Sequence, residues 1–89
     1  MKFKVYSLLN CSDCSAYHKV IQKFCEEQKI VLDIIDIDDP DNIEVNIKAM
    51  FEYKLQDIPS TILLDEHGFG LAMKGGILDE SALNSMLGR

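Results

Sequence analysis

Apolar and polar positions follow two different periods along this chain. Residues 2–9 are rich in β-branched, aromatic and aliphatic types, which predicts a buried strand. From Ser12 to about Gln28 the period becomes helical. Tyr17, Val20, Ile21 and Phe24 fall on one face, while Lys19, Gln22, Lys23 and Glu26 fall on the other. Residues 31–38, VLDIIDID, are apolar over most of their length and predict a strand covered on both faces. Strand, helix and strand joined by short connections imply a parallel, right-handed crossover.

The run DDPDN at 38–42 predicts a turn, with Asp41 or Asn42 available to cap a second helix from about 43 to 53. The expected buried stripe of that helix is Ile43, Ile47, Met50 and Phe51. Ile58-Pro59 stops the helical pattern, because proline disfavours helical geometry in the residue before it. Residues 60–65 and 71–74 predict two short strands around EHGFG, a glycine-containing hairpin loop closed by Gly75-Gly76. Asp79 is placed to cap a last helix that uses Leu83, Met86 and Leu87. The order is βαβαββα: one α/β domain over residues 1–89, a central mixed sheet with helices on both faces.

Composition narrows the partners. A formal net charge of −6 disfavours nucleic acid, whose phosphates would be repelled. Lys4, Ser7 and Asn10 interrupt the opening apolar run and no small-residue cleavage site follows, so neither a signal peptide nor a membrane anchor is expected. The expected location is cytoplasmic. Three cysteines in a reducing compartment do not suggest a structural disulfide framework, and a Cys-x-x-Cys pair there predicts redox or metal chemistry.

That pair is Cys11-Ser12-Asp13-Cys14, where the first strand gives way to the first helix. The nucleophile in disulfide exchange is the thiolate, and the unpaired N–H groups of a helix start favour the anion. Cys11 lies nearest those groups and is expected to attack. Cys14, at the margin of the apolar stripe, is expected to resolve the mixed disulfide. Ser12 and Asp13 are the candidates for tuning; the Asp13 carboxylate opposes thiolate formation and should leave Cys11 less acidic than in a strongly oxidising protein. A structural zinc site needs four ligands. His18, one turn beyond Cys14, offers a third, but Cys25 is about 16 Å further along the helix axis, and His67 belongs to the hairpin loop. No metal site is expected.

With Cys11 and Cys14 placed ahead of Ile58-Pro59, the chain resembles the thioredoxin/glutaredoxin superfamily over essentially its whole length. Residues 53–60, YKLQDIPS, are similar to the thioredoxin segment Tyr-x-Ile-x-x-Ile-Pro-Thr, and Gly76-Ile77-Leu78 to the start of the final helix. The resemblance implies a thioredoxin-like fold, a cis peptide before Pro59, and a substrate strand docked on the backbone of Ile58. It departs from the family in several places. The tryptophan and Gly-Pro around the cysteines are replaced by Asn10, Ser12 and Asp13, and the buried aspartate of the first strand by Val5. The size is that of a glutaredoxin, yet residues 7–10 carry no basic group to hold the glutathione carboxylate. Gly75-Gly76 would suit a glutathione-binding turn, while Asp57 would repel an anionic tripeptide.

The implied activity is dithiol reduction of protein disulfides, with no bound cofactor. Electrons would come from NADPH through a flavin-containing thioredoxin reductase, or from glutathione. Ribonucleotide reductase is a client the resemblance suggests, and a monomer is expected. Two other readings stay open: a redox-inactive module that docks an extended peptide along Ile58-Pro59, and a metal or iron–sulfur carrier using Cys11 and Cys14. Cys25 is read as packing and Tyr17 as core or cleft wall. His18, one helical turn past the pair, could tune Cys14 but is read as a surface histidine at the polar margin, and Asp33, Asp36 and Asp38 are read as solvated charges.

Overall fold

The computed structural model describes residues 1–8, 12–52 and 58–88. In chain order the elements are β1 (Lys2–Ser7), α1 (Ser12–Gln28), β2 (Val31–Asp36), α2 (Ile43–Glu52), β3 (Ser60–Leu64), β4 (Gly70–Gly75) and α3 (Glu80–Met86). The strands form one mixed sheet in the order β2-β1-β3-β4. β1 runs parallel to β2, from Lys2 opposite Val31 to Ser7 opposite Asp36. It runs antiparallel to β3, from Lys2 opposite Leu64 to Tyr6 opposite Ser60. β3 pairs antiparallel with β4, with a bulge at Leu63/Leu64.

The pleat sends alternate side chains to opposite faces, and each face finds a different cover. Phe3 and Val5 of β1 and Leu63 of β3 pack with Tyr17, Ile21, Phe24 and Cys25 of α1 and Leu83 of α3. The rings of Phe3 and Phe24 meet edge to face, 6.3 Å between centroids. Tyr6, Ile62 and Leu64 point the other way, toward Ala49 and Met50 of α2. The α/β architecture with helices on both faces is therefore as expected, and element boundaries move by only one or two residues.

Two expectations about burial are corrected and one is met. β2 is an edge strand, half-buried along most of its length, and both of its faces are covered as expected, Leu32 and Ile34 by one core and Ile35, with Ile37 just past the strand, by the other; the strand with every residue buried is β3. On α1, Val20 is 43% exposed while Cys14 and Cys25 are buried. At 100° per residue Val20 falls about 90° from the centre of the observed stripe. The largest difference is on α2. Ile43, Ile47 and Phe51 face solvent, Phe51 at 81%, and the buried residue is Asn46. Its side-chain amide donates to the carbonyl of Asp36 at 3.0 Å, and with Ala49 and Met50 also against the sheet the buried face lies about a quarter turn from the apolar stripe.

The ends of the elements follow local chemistry. α1 closes with the Ile30 amide on the Cys25 carbonyl at 2.9 Å and Lys29 left-handed at φ 57, the arrangement that usually selects glycine. Before α2, Asp39 accepts from the Asp41 amide and the Asn42 side chain, contacts that hold its carboxyl below the usual range. In the β3–β4 hairpin the Asp65 carboxylate accepts from the amides of His67 and Phe69 at 2.8 and 2.9 Å. Asp79 caps α3 through its carboxylate on the Ala82 amide at 2.8 Å, as its sequence position suggests.

Candidate functional site

β1 and β3 run in opposite directions, so the C-terminal end of β1 and the beginning of β3 share one end of the sheet. Tyr6 stands opposite Ser60 there. The chain leaves β1 at that end and enters α1 through residues 8–11; it arrives from α2 through Ile58-Pro59. The topology thus gathers the first turn of α1 and the proline segment from distant parts of the sequence. Cys11 and Asp57 lie outside the described residues.

Cys14, in the first turn of α1, is wholly buried (0% exposed). Ser12 and Asp13 beside it are exposed. The Ile58-Pro59 peptide is cis, as the resemblance implies. Ile58 is half-buried and Pro59 buried. The Pro59 carbonyl accepts from the Gly76 amide at 2.8 Å, and Gly75 stands opposite Ser60 in the β3/β4 register. Gly76 has φ 87, a backbone conformation that side-chain-bearing residues resist. Four residues picked from sequence, Ile58, Pro59, Gly75 and Gly76, therefore form one contiguous corner.

Two side-chain hydrogen bonds that no sequence pattern announced tie α1 to the sheet at this end. The Tyr17 hydroxyl lies 2.6 Å from Thr61 Oγ1, and both residues are wholly buried. Thr61 is two residues past Pro59, so the bond links the helix bearing Cys14 to the strand that Pro59 opens. Burial pushes the Tyr17 phenol up to about 12, against the opposing effect of the Thr61 bond. The second bond joins His18 Nε2 to Ser7 Oγ at 2.7 Å. His18 is half-buried rather than a surface residue, and burial lowers its pKa below the ordinary 6.5. A serine ending an apolar strand was the only available hint of this pair. Cys25 packs in the core as expected, its thiol pushed up to about 11 by burial.

Among the described residues, no three or more of His, Cys, Asp and Glu gather to hold a metal ion. Among them, too, no helix is long and apolar enough to cross a membrane.

No protein-family model matches the chain, and no curated protein matches it. Solved structures do. Thioredoxin 1 from Thermosipho africanus is 24% identical at a TM-score of 0.75, over 100% of this chain and 92% of that one. Thioredoxin-2 of the malaria parasite, a component of its protein secretion machinery, is 17% identical at 0.75, over 98% of this chain and 80% of that one. A thio-disulfide isomerase from Thermus thermophilus is 20% identical at 0.73, over 97% of this chain and 75% of that one. At these identities the likeness is one of fold.

Proposed function

The chain has the thioredoxin fold, and from that premise we propose that it is a thiol–disulfide oxidoreductase which reduces protein disulfides through Cys11 and Cys14. The observation that supports this most is the burial of Cys14 in the first turn of α1, at the sheet end where Ile58-Pro59 opens β3. A buried second thiol is protected from outside reagents, so it reacts with the first cysteine and not with substrate.

The cycle has two steps. The Cys11 thiolate attacks a substrate disulfide, forming a mixed disulfide and expelling one substrate thiolate. The Cys14 thiolate then attacks the Cys11 sulfur, expels the second substrate thiolate and leaves an internal disulfide. Two electrons pass from the cysteine pair to the substrate. Ile58 and Pro59, with Gly75 and Gly76 beside them, would form the wall along which an extended substrate strand lies. Electrons return from a thioredoxin reductase fed by NADPH, or from glutathione. The setting is cytoplasmic, the protein a monomer, and a reductive enzyme such as ribonucleotide reductase a fitting client.

Insulin reduction driven by dithiothreitol tests the proposal. Wild type accelerates it, Cys11→Ser abolishes the acceleration, and Cys14→Ser accumulates a covalent adduct with the substrate visible by mass spectrometry. Equal turnover by both variants would overturn it and favour a peptide-docking module. Comparing NADPH plus thioredoxin reductase with glutathione plus glutathione reductase identifies the donor.

A further inference from the structure

His18 follows Cys14 by four residues in α1. Helical side chains lean toward the N-terminus, so a residue at this spacing is directed toward the turn that carries Cys14. Side chains at this spacing start about 5–6 Å apart at Cβ. The ring is also fixed from the sheet side by Ser7 Oγ, 2.7 Å from Nε2. Ser7 is wholly buried, and the β1 residues that share its face, Phe3 and Val5, are apolar and buried. His18 is thus half-buried, bonded to a buried serine and one helical turn from a buried cysteine.

Building on the disulfide-exchange reading, we propose that His18, held in place by Ser7, is the proton acceptor for Cys14 in the second step of the cycle. The Cys14 S–H gives its proton to the imidazole. The electron pair left on sulfur forms the bond to Cys11, the bond from Cys11 to the substrate sulfur breaks, and the substrate thiolate leaves with that electron pair. The imidazolium returns its proton to the departing thiolate, and no further reactant is consumed.

The step requires a neutral ring, and burial favours one at neutral pH. The charged or titratable residues nearest His18 in its own helix are Asp13, Cys14, Tyr17 and Lys19, and Asp36 of β2 stands opposite Ser7 in the register. Glu80 of α3 lies against Lys23 and Glu27, further along α1.

Stopped-flow reaction of the reduced protein with 5,5′-dithiobis(2-nitrobenzoate) separates the two steps. Attack by Cys11 releases one thionitrobenzoate, and resolution by Cys14 releases the second. The buried Cys25 reacts more slowly than either. His18→Gln, which retains a hydrogen-bonding partner for Ser7, is expected to leave the first release within about twofold of wild type and to slow the second by about 100-fold, the low end for a placed acid–base group. The wild-type second release should fall as acid protonates the ring, at pH values below the ordinary 6.5 because burial lowers the His18 pKa, and this dependence should flatten in His18→Gln. Ser7→Ala should slow the second release alone. An unchanged second release in His18→Gln overturns the proposal, as does equal slowing of both releases. A wild type that gives no second release overturns the disulfide-exchange reading and His18's part with it.

Discussion

The hydrogen bond between Tyr17 and Thr61 joins α1 to β3 across 44 residues of sequence, and its removal has a calculable cost. Both partners are wholly buried, so no water takes the place of a lost partner. Tyr17→Phe deletes one oxygen and orphans Thr61 Oγ1, at a cost of about 1–3 kcal/mol. Thr61→Val orphans the phenol instead and should cost about as much. In the double variant neither hydroxyl remains to be orphaned, so the combined loss should fall short of the sum by about 1–2 kcal/mol. Urea unfolding followed by circular dichroism resolves this, and for a chain of this size each kcal/mol moves Tm by about 4–8 °C. Burial of the phenol, opposed by the Thr61 bond, also sets a pH dependence. The phenol pKa is about 12 in the folded chain against an ordinary 10.0, so ionisation favours the unfolded chain. Its contribution is intact below pH 10 and is lost as pH rises through about 12. Tyr17→Phe should therefore lose stability less steeply over that range than wild type. Additivity of the two single variants within about 0.5 kcal/mol would refute the energetic link between helix and strand.

Other expectations are simpler. Lys29→Gly should stabilise the fold by about 0.5–1 kcal/mol in urea titration, because it relieves a left-handed lysine at φ 57. Asp79→Ala should cost about 1 kcal/mol through loss of the cap on the Ala82 amide. On α2, Phe51→Lys should change stability by less than about 0.5 kcal/mol, whereas Asn46→Ala should cost about 1–2 kcal/mol, the reverse of what hydrophobicity alone suggests. Iodoacetamide at pH 8 should spare the buried Cys25 thiol, whose pKa stands at about 11, until urea unfolds the chain, as peptide mass mapping would show.

The order of elements was legible because each segment has its own period, and the signals that end segments are local. Asp79 before α3 and glycine in the hairpin act within a few residues, so single-sequence pattern reaches them. Strand order is different. Nothing in VLDIIDID distinguishes a central strand from an edge one, since that depends on which strands pair, and residues 31–36 pair, among the described residues, only with β1. Helix rotation is likewise a property of the assembled molecule. The apolar stripe of α2 pointed to Ile43, Ile47 and Phe51, yet the face that meets the sheet carries Asn46, Ala49 and Met50, with the Asn46 amide on the Asp36 carbonyl.

At the candidate site the same division holds, with a chemical reason. Cys14, Pro59 and Gly76 stand out in sequence because thiols, prolines and glycines have properties that other residues lack. Ser7, His18, Tyr17 and Thr61 do not stand out, since serine and threonine at a strand end ordinarily meet water. Here they are enclosed, and a buried hydroxyl without a partner is costly. Among the described residues no buried side-chain nitrogen or oxygen lacks a partner. A fold that encloses Ser7 and Thr61 must therefore supply partners from elsewhere, and α1 does so with adjacent residues, Tyr17 and His18. Each bond fixes the helix against a different strand, Tyr17 against β3 and His18 against β1. Two fixed points constrain both the rotation and the axial position of α1, and Cys14 is only three and four residues away. The polar groups that conceal themselves in the sequence are thus the ones that hold the conspicuous thiol in place.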